Sequence, residues 1–317
     1  MNPISKVQQQ LARLGTSTRA FAAYQQQPPQ MAVGSPGKNG YLSLRFIRRG
    51  ERSLLAHLSY RSPFLVQRPL YWDEARPDMP CLFLITTSGG ILQGDRLALD
   101  VDMQPGACAH ITTQSATKIQ SMTHNYAAQI QQITLRENSY LEVLPEPLIL
   151  HNNARFISST QLFCHPSATL LYSEVLMCGR KYHPADGGFK FDIYSARTEA
   201  EDLSGNALFS EHYLLEPKRQ SLNGAGIMAD FHVSGNVILL TPEHHHQAIL
   251  TRLHPCYDAT AGIAYGASLL PNQCGLVFKV LGNETRQVKS AILLFWQIAR
   301  EIITGSKVPT PFLWRQA

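Results

Sequence analysis

The chain has 317 residues, of which 44% are hydrophobic and only 16% are charged. The hydrophobic fraction supports a sizeable core, whereas soluble domains usually contain about 25% charged residues. So low a charge content predicts a surface that partner proteins cover, or a protein that is poorly soluble alone. The net charge is +5, but the basic residues are scattered, which argues against a nucleic-acid-binding groove.

The six cysteines are widely spaced and form no Cys-x-x-Cys pair and no zinc-like spacing. Free thiols among apolar residues behave as small hydrophobes, so a reducing cytoplasm is the expected compartment. The N-terminus lacks the apolar core of a signal peptide. No apolar run approaches the roughly 20 residues that span a bilayer, and we expect no membrane association.

Residues 1–39 are rich in glutamine, with proline and glycine toward their end. Polar tracts of this kind rarely pack, so this segment is predicted to be a mobile extension, although residues 8–14 have weak helical character. Residues 40–317 are predicted to form one β-rich domain.

From residue 40 onward, period-two alternation of apolar and polar residues predicts β-strands. Leu42, Leu44 and Phe46 give the first clear example. Further strands are predicted at residues 53–60, 156–163, 169–178 and 189–194. Gly235-Asn236, which lies between two β-branched residues, predicts a hairpin turn. The chain is therefore predicted to be mainly β.

The stretch of residues 81–118 is the most informative. An apolar strand leads into a turn that contains Gly89, Gly90 and Gly94, and Asp95 follows the last glycine. Because glycine tolerates backbone conformations that other residues avoid, this turn should bend tightly and present Asp95 at its end. Taken alone, the pattern is most simply a β-hairpin with a glycine bulge.

Two helices are predicted, a short one near residues 242–253 and a C-terminal one near residues 284–304. Thr241 is a suitable N-cap for the first, and Asn283 for the second. Gly305 is expected to end the second helix.

The C-terminal helix has a broad apolar stripe at helical spacing, which Leu293 and Leu294 widen. Little of this helix should therefore face water. The stripe predicts packing on sheets of the same chain. The alternative is binding of a partner protein in a groove, for which Phe295, Trp296 and Trp314 are the candidates.

The sequence contains no motif of a nucleotide-binding protein, a zinc protease or a serine hydrolase. The hydroxyl residues from Thr86 to Ser88 precede the glycine turn, but no evident general base lies near them in the sequence. His244, His245 and His246 would point about 100° apart on a helix, so they cannot all bind one ion. A solvated helix start is the favoured interpretation.

Four acidic residues lie beside or within strand-like apolar segments. They are Asp95, Glu146, Glu174 and Glu211. A carboxylate in such a segment usually faces solvent, and one that faces inward must pair, hydrate or bind a cation. The spacing alone leaves these alternatives open.

Several motifs occur in one order along the chain: GGILQGDRL, TTQSATK, LPEPLI, EVLMCGR and, near the end, FWQIAREIITGSKVPTPFLW. Over about residues 40–314 the sequence resembles the UreD family of urease accessory proteins, also called UreH. The resemblance implies a mostly β, two-layered and β-helix-like architecture with two helices. It also implies a scaffold rather than an enzyme.

The resemblance further implies partners and a cargo. Members of the family bind apo-urease and UreF, and through UreF the GTPase UreG. Together they deliver nickel to the urease active site, where CO2 is needed to form a carbamylated lysine. A water-filled tunnel is the nickel path proposed for the family. The residues matching that path are Asp95, Thr117, Glu174 and Glu211, with Glu146 as a weaker candidate. We expect no permanently bound cofactor, only Ni2+ in transit.

The chain departs from the family pattern in three places. Residues 85–88 replace the usual His/Pro-containing lead into the glycines, the Gly-Glu expected shortly after Arg180 is absent, and the N-terminal extension is long. These differences concern local loops. The prediction is therefore a urease maturation scaffold that guides Ni2+. The alternatives are a hydrolase using Ser or Thr at the glycine turn, and a purely structural assembly protein without a metal path.

Overall fold

The computed structural model describes residues 3–16, 18–26, 39–183, 188–224 and 226–309. Within these residues the protein is mainly β, with two sheets and few helices, which confirms the predicted fold class. None of the described helices combines the length and the hydropathy that a membrane span requires.

The elements follow one another in a regular order. The strands are β1 (Asn39–Arg49), β2 (Arg52–Arg61), β3 (Phe64–Val66), β4 (Cys81–Thr86), β5 (Arg96–Met103), β6 (Cys108–Thr113), β7 (Thr117–Ile119), β8 (Ala127–Leu135), β9 (Tyr140–Val143), β10 (Leu148–Leu150), β11 (Arg155–Cys164), β12 (Thr169–Met177), β13 (Ile193–Glu201), β14 (Ala207–Leu215), β15 (Val233–Leu240), β16 (Cys256–Asp258), β17 (Ile263–Leu269) and β18 (Gly275–Gly282). The α-helices are α1 (Pro3–Arg13), α2 (His246–Arg252) and α3 (Thr285–Thr304), and the 3-10 turns are Arg19–Tyr24, Glu243–His245 and Pro271–Gln273.

The strands form two sheets, and the chain passes back and forth between them. The seven-stranded sheet has the order β14-β13-β11-β8-β5-β1-β2. The eleven-stranded sheet follows β16-β17-β18-β15-β12-β9-β6-β4-β3, with β10 beside β12 and β7 beside β10. Strands β5, β8, β11 and β13 are parallel neighbours in one sheet, and β4, β6, β9 and β12 are parallel neighbours in the other. This stacking of successive coils is the expected β-helix-like architecture.

The largest hydrophobic core lies between the two sheets. Along β5, Leu97, Leu99 and Val101 face this core, whereas Ala98 faces the opposite side of the sheet. The alternation follows from the strand, in which successive side chains point to opposite faces. Full burial of such an aliphatic side chain stabilises the fold by roughly 1.5–3 kcal/mol.

Helix α3 covers the outer face of the eleven-stranded sheet, as its apolar stripe predicts. Phe295 is fully buried and stacks on Phe278 of β18, with ring centroids 4.9 Å apart. Gly305 ends the helix in a left-handed conformation, as expected. The predicted Asn283 cap is wrong by one residue, because Glu284 and Gln287 form a capping box.

The expectation that little of α3 faces water is wrong for one side of the helix. Leu293 is 38% exposed and Leu294 is 41% exposed. Both lie on the exposed side of the helix, while the fully buried residues Val288 and Phe295 lie on the side that faces the sheet. A stripe read from spacing is therefore wider than the surface that one sheet can cover.

The predicted hairpin at Gly235-Asn236 is wrong, since both residues lie inside β15, which continues to Leu240. The glycine serves a different purpose. A Cβ atom built at Gly235 would lie 2.6 Å from a methyl group of Val280 and 2.9 Å from one of Val288. The missing side chain thus lets α3 pack directly on the sheet.

The predicted strand at residues 189–194 is also wrong over most of its length. Strand β13 begins at Ile193. Phe189 has a φ of 59°, outside the extended region, and packs edge-on against Phe191 in a buried loop. The alternation of Phe189, Phe191 and Ile193 therefore reflects burial without a strand.

The N-terminal segment packs on the protein over its described part, and its predicted mobility stays a prediction. Helix α1 and the turn Arg19–Tyr24 cover the outer face of the seven-stranded sheet, where Val7, Leu11 and Phe21 are buried. The Tyr126 hydroxyl donates a hydrogen bond to the carbonyl of Leu14 over 2.8 Å. Amphipathic spacing within a glutamine-rich tract was enough for packing. Residues 27–38 of the predicted extension lie outside the described residues, and the predicted domain division stays a prediction.

The short helix near residues 242–253 begins as the 3-10 turn Glu243–His245 and continues as α2. The rings of His244 and His245 lie 3.9 Å apart. His246 is buried and its Nε2 donates to the carbonyl of Thr241 over 2.9 Å. Across the ranges that the structure describes, no group of three or more His, Cys, Asp or Glu side chains is arranged to hold a metal ion.

Candidate functional site

A cavity of about 160 Å³ lies between the two sheets. Most of its wall is apolar, and the polar side chains are drawn from both sheets and the loops at one end. These polar lining residues include Thr117, Gln129, Gln131, Glu146, Ser158, Tyr172 and Glu174. A cavity of this volume with polar partners has room for several water molecules.

One polar row crosses the inner face of the eleven-stranded sheet. Glu174 on β12 lies directly opposite Asn236 on β15, which in turn lies opposite Lys279 on β18. The two neighbours of Glu174 along its face, Tyr172 and Leu176, belong to the core between the sheets. All three polar side chains of the row therefore emerge on the inner face.

A second polar row crosses the seven-stranded sheet and faces the first. It runs through Gln131, Thr160, Thr198 and Glu211, which are register neighbours on β8, β11, β13 and β14. Hydrogen bonds join the second row to the facing sheet. Gln131 donates to the Tyr172 hydroxyl over 3.0 Å, and Asn236 Nδ2 donates to Glu211 Oε2 over 2.7 Å. A continuous polar strip thus lies within an otherwise apolar core.

Glu174 has the least compensated carboxylate on this strip. Glu174 is partly exposed, and its accessible surface borders the cavity. The Tyr172 hydroxyl donates to Oε1 over 2.8 Å. Burial raises the pKa of Glu174, the bond from Tyr172 opposes that rise, and the nearby Glu211 adds to it.

Glu211 lies at the more open end of the strip and is paired with a cation. Lys279 Nζ donates to Glu211 Oε1 and to the Tyr213 hydroxyl. The Lys279 side chain is 48% exposed and that of Glu211 is 23% exposed. Asn236 Oδ1, although buried, accepts no hydrogen bond from the part of the chain that is described.

Glu146 and Thr117 lie at another end of the cavity. Lys289 of α3 donates to both carboxylate oxygens of Glu146, over 3.1 and 2.9 Å. Glu146 also borders a second cavity of about 180 Å³ beneath α3. The loop of Glu146 is thus the wall that the two cavities share, and Thr117 lines the inner one beside it.

Asp95 lies apart from the residues that line the cavity. Its Oδ2 accepts a hydrogen bond from the backbone N–H of Leu92 over 2.8 Å, which closes the glycine-rich turn. Gly90 has a φ of +134°, and a Cβ there would lie 2.5 Å from the Lys118 carbonyl. The turn therefore needs glycine at Gly90, and Asp95 stabilises the turn. Its predicted place on a metal path stays a prediction.

Gly89 and Gly94, the other two glycines of the turn, do not line the cavity. The Gly89 carbonyl accepts a bond from Gln120 over 2.7 Å, and Gly94 has a φ of 80°. The Ser88 hydroxyl donates to the Gly90 carbonyl over 2.7 Å. That hydroxyl is occupied within the turn, and the geometry provides no base beside it among the described contacts.

Sequence reasoning missed a fully buried carboxylate, Glu142 of β9. It accepts hydrogen bonds from the Tyr140 hydroxyl over 2.7 Å and from Trp296 Nε1 over 2.8 Å. His110 Nδ1 lies 2.8 Å from its other oxygen, and Arg300 Nε lies 3.7 Å away. Burial alone would raise the pKa of Glu142, but the His110 bond and the neighbouring charges outweigh burial and lower it to about 2. An arginine within the apolar stripe of α3 was the signal for this cluster.

The partner-binding candidates of α3 have different positions. Phe295 has no exposed surface to offer a partner, because it is fully buried against the sheet. Trp296 is partly buried, donates to Glu142 and stacks on His110 with ring centroids 5.4 Å apart. Trp314 lies outside the described residues.

Comparison with known proteins agrees with the order of motifs along the chain. A family model described as UreD urease accessory protein matches residues 38–315. A protein of Photorhabdus laumondii named urease accessory protein UreD is 60% identical over 312 residues, covering 98% of this chain and 97% of that protein. Its namesake in Yersinia pseudotuberculosis is 55% identical over 95% of this chain and 94% of its own length. Urease accessory protein UreD 2 of Brucella suis is 49% identical over 93% of this chain and 98% of its own length.

Proposed function

The chain belongs to the UreD family of urease accessory proteins, and from this premise we propose that it is a maturation scaffold without catalytic activity of its own. In this proposal it binds apo-urease and the accessory protein UreF, and through UreF the GTPase UreG. It guides Ni2+ toward the urease active site along the polar strip between its sheets.

The observation that carries the proposal is the position of Glu174. A carboxylate that lies among core residues, borders a cavity and accepts one hydrogen bond from the described residues is costly to the fold. Water in the cavity lowers that cost, and the partly compensated negative charge attracts a divalent cation. A role in cation transit accounts for a group that stability alone does not require.

The ligand chemistry suits transit better than storage. Carboxylate and amide oxygens hold Ni2+ less firmly than imidazole does. A conduit must bind its ion strongly enough to admit it and weakly enough to release it. The strip offers separated oxygen donors at Glu174, Asn236 and Glu211, and Glu146 offers another at the cavity wall. Separated oxygen donors suit both conditions.

The test is nickel content per urease active site, measured together with a pull-down of urease and the accessory proteins. Glu174→Gln and Glu211→Gln keep the side-chain shape and remove the charge, so the complex should still assemble. Urease recovered from these complexes should contain less nickel and be less active, and the double variant should be worse than either single variant.

Glu199→Gln is the matched control for this test. Glu199 lies on β13 and pairs with Arg197 on the surface, with side chains 38% and 56% exposed. It should load urease like the wild-type protein. Normal nickel content with the Glu174→Gln/Glu211→Gln protein would reject the conduit and favour a purely structural assembly protein.

A further inference from the structure

The carboxylates of Glu211 and Glu146 differ from that of Glu174 in a way that the proposed path does not explain. Glu211 and Glu146 are each paired with a lysine, Lys279 and Lys289 respectively. Glu174 accepts its hydrogen bond from the Tyr172 hydroxyl and receives none from a cationic side chain among the described contacts. An ammonium group of a lysine side chain therefore already neutralises each of the other two carboxylates.

We infer that Lys279 and Lys289 are exchangeable counter-ions, each of which must leave its carboxylate before a divalent cation can bind there. The inference rests on the proposed function, because it concerns how that path is filled and emptied. In the protein without a metal ion, the two ammonium groups neutralise Glu211 and Glu146. When a metal ion leaves one of these carboxylates, the ammonium group returns to it.

The choice of lysine fits this role. Lysine carries a compact, strongly hydrated charge on a flexible stem, and both lysines are well exposed, 48% for Lys279 and 42% for Lys289. An exposed ammonium group can exchange a carboxylate for water at little cost. The buried carboxylate Glu142 is instead bonded by His110 and lies 3.7 Å from Arg300, a fully buried guanidinium that pairs with Asp73.

Lys279 also has a second partner that keeps it close when it leaves Glu211. Its Nζ donates to the Tyr213 hydroxyl and lies 4.8 Å from the centroid of the Tyr213 ring. A cation over an aromatic face is favourable without any carboxylate. Tyr213 therefore offers a resting position from which the ammonium can return.

The electrostatics make the exchange competitive. Two cations on one carboxylate repel each other, and the repulsion between an ammonium group and a divalent ion is twice that between two unit charges at the same distance. Lys279 and a metal ion thus exclude each other at Glu211. Removing the ammonium should strengthen metal binding and slow metal release.

The experiment measures the dissociation constant of Ni2+ by calorimetry and the release rate by competition with a chelator. The full-length chain is used, in complex with its accessory partners. Lys279→Met keeps the stem and removes the charge, and is expected to bind Ni2+ about tenfold more tightly and to release it more slowly. Urease activation should fall, because the ion is retained.

Two further variants sharpen the test. Lys279→Arg keeps the charge and adds a planar fork that holds a carboxylate more firmly, so it should bind Ni2+ more weakly than the wild-type protein. Lys181→Met is the matched control, since Lys181 pairs with Glu284 at a distance of 2.5 Å outside the cavity wall. It should leave the dissociation constant unchanged.

The outcomes separate this inference from the proposed function. If Lys279→Met leaves Ni2+ affinity unchanged or weakens it while Glu174→Gln still lowers nickel loading, the counter-ion role is overturned and the conduit stands. If loading is normal with Glu174→Gln/Glu211→Gln, the conduit itself fails. Should Lys279→Met not fold, an affinity for Lys279→Arg equal to that of the wild-type protein would overturn the inference.

Discussion

Glu142 on β9 is a fully buried carboxylate and Glu174 on the neighbouring parallel strand β12 is a partly exposed one that lines the cavity, and their surroundings are opposite. Glu142 faces α3, where hydrogen bonds and cationic groups lower its pKa to about 2. Glu174 faces the cavity between the sheets, where burial raises its pKa and the Tyr172 hydroxyl only partly opposes the rise. Among the described contacts, the same residue type is thus held by several partners on one face of a sheet and bonded by one hydroxyl group on the other.

The comparison teaches that burial does not by itself assign a role to a charge. A buried carboxylate whose partners satisfy it is expensive to remove, because its partners would be left uncompensated. A buried carboxylate that borders water and lacks such partners is expensive to keep. The first arrangement serves the fold, and the second points to a function.

The largest effect is expected for Glu142→Gln. The substitution removes the charge that His110 and Trp296 bond and that Arg300 faces, while Arg300 keeps its ion pair with Asp73, so the free energy of unfolding should fall by about 3 kcal/mol. Urea unfolding monitored by circular dichroism measures this loss. Glu301→Gln, which removes the surface ion pair between Glu301 of α3 and Arg252 of α2, should cost less than about 1 kcal/mol. Similar losses in the two variants would remove the distinction drawn for Glu142.

The pH dependence of that contribution follows from the lowered pKa. Because the folded protein holds the proton of Glu142 less tightly than the unfolded chain does, the stabilisation is present above pH 4.5 and is lost as the pH falls toward 2. The loss should amount to about 3 kcal/mol. The difference in stability between the wild-type protein and Glu142→Gln should therefore shrink on acidification, and a constant difference would contradict the lowered pKa.

Glu174→Gln is expected to change stability in the opposite direction. The folded state binds the Glu174 proton more tightly than the unfolded chain, so ionisation costs stability as the pH rises through the raised pKa. Removing the charge should raise the free energy of unfolding at neutral pH on the order of 1 kcal/mol. The gain should vanish in acid, where Glu174 is protonated in the wild-type protein. A loss of stability at neutral pH would mean that Glu174 serves the fold.

The smallest effect is the coupling between the two sites. Glu142 lies opposite Leu171 in the register, three residues before Glu174, which separates the two by roughly 10 Å along the strand. Their side chains also point to opposite faces. The stability changes of the two single variants should therefore add in the double variant to within about 0.5 kcal/mol. A larger interaction energy would indicate that the sheet transmits the charge of one site to the other.

Much of the fold could be predicted because its signals are local. Period-two alternation located the strand around Leu42, and Gly305 marked the end of α3. The failures occurred where a local signal has more than one cause. Gly235 looked like a turn but makes room for α3, and Phe189 to Phe191 alternated as a buried loop does.

The site was predictable only in part. The motifs indicated Thr117, Glu146 and Glu174, all of which line the cavity, and Glu211, which closes the polar strip. They also indicated Asp95, which the structure places in the glycine turn. Glu142 went unnoticed, because nothing local distinguishes it from a solvent-facing acid in a short strand.

The sequence by itself determined the class of fold, the course of most strands, the bounds of α3 and membership of the UreD family. Each of these depends on neighbours along the chain, through side-chain periodicity, capping residues and ordered motifs. Only the tertiary structure decided which side chain each carboxylate contacts. Glu211 and Lys279 are 68 residues apart and Glu142 and Trp296 are 154 apart, and alternation in a strand gives the face of a side chain but never the partner that another strand or helix brings to it.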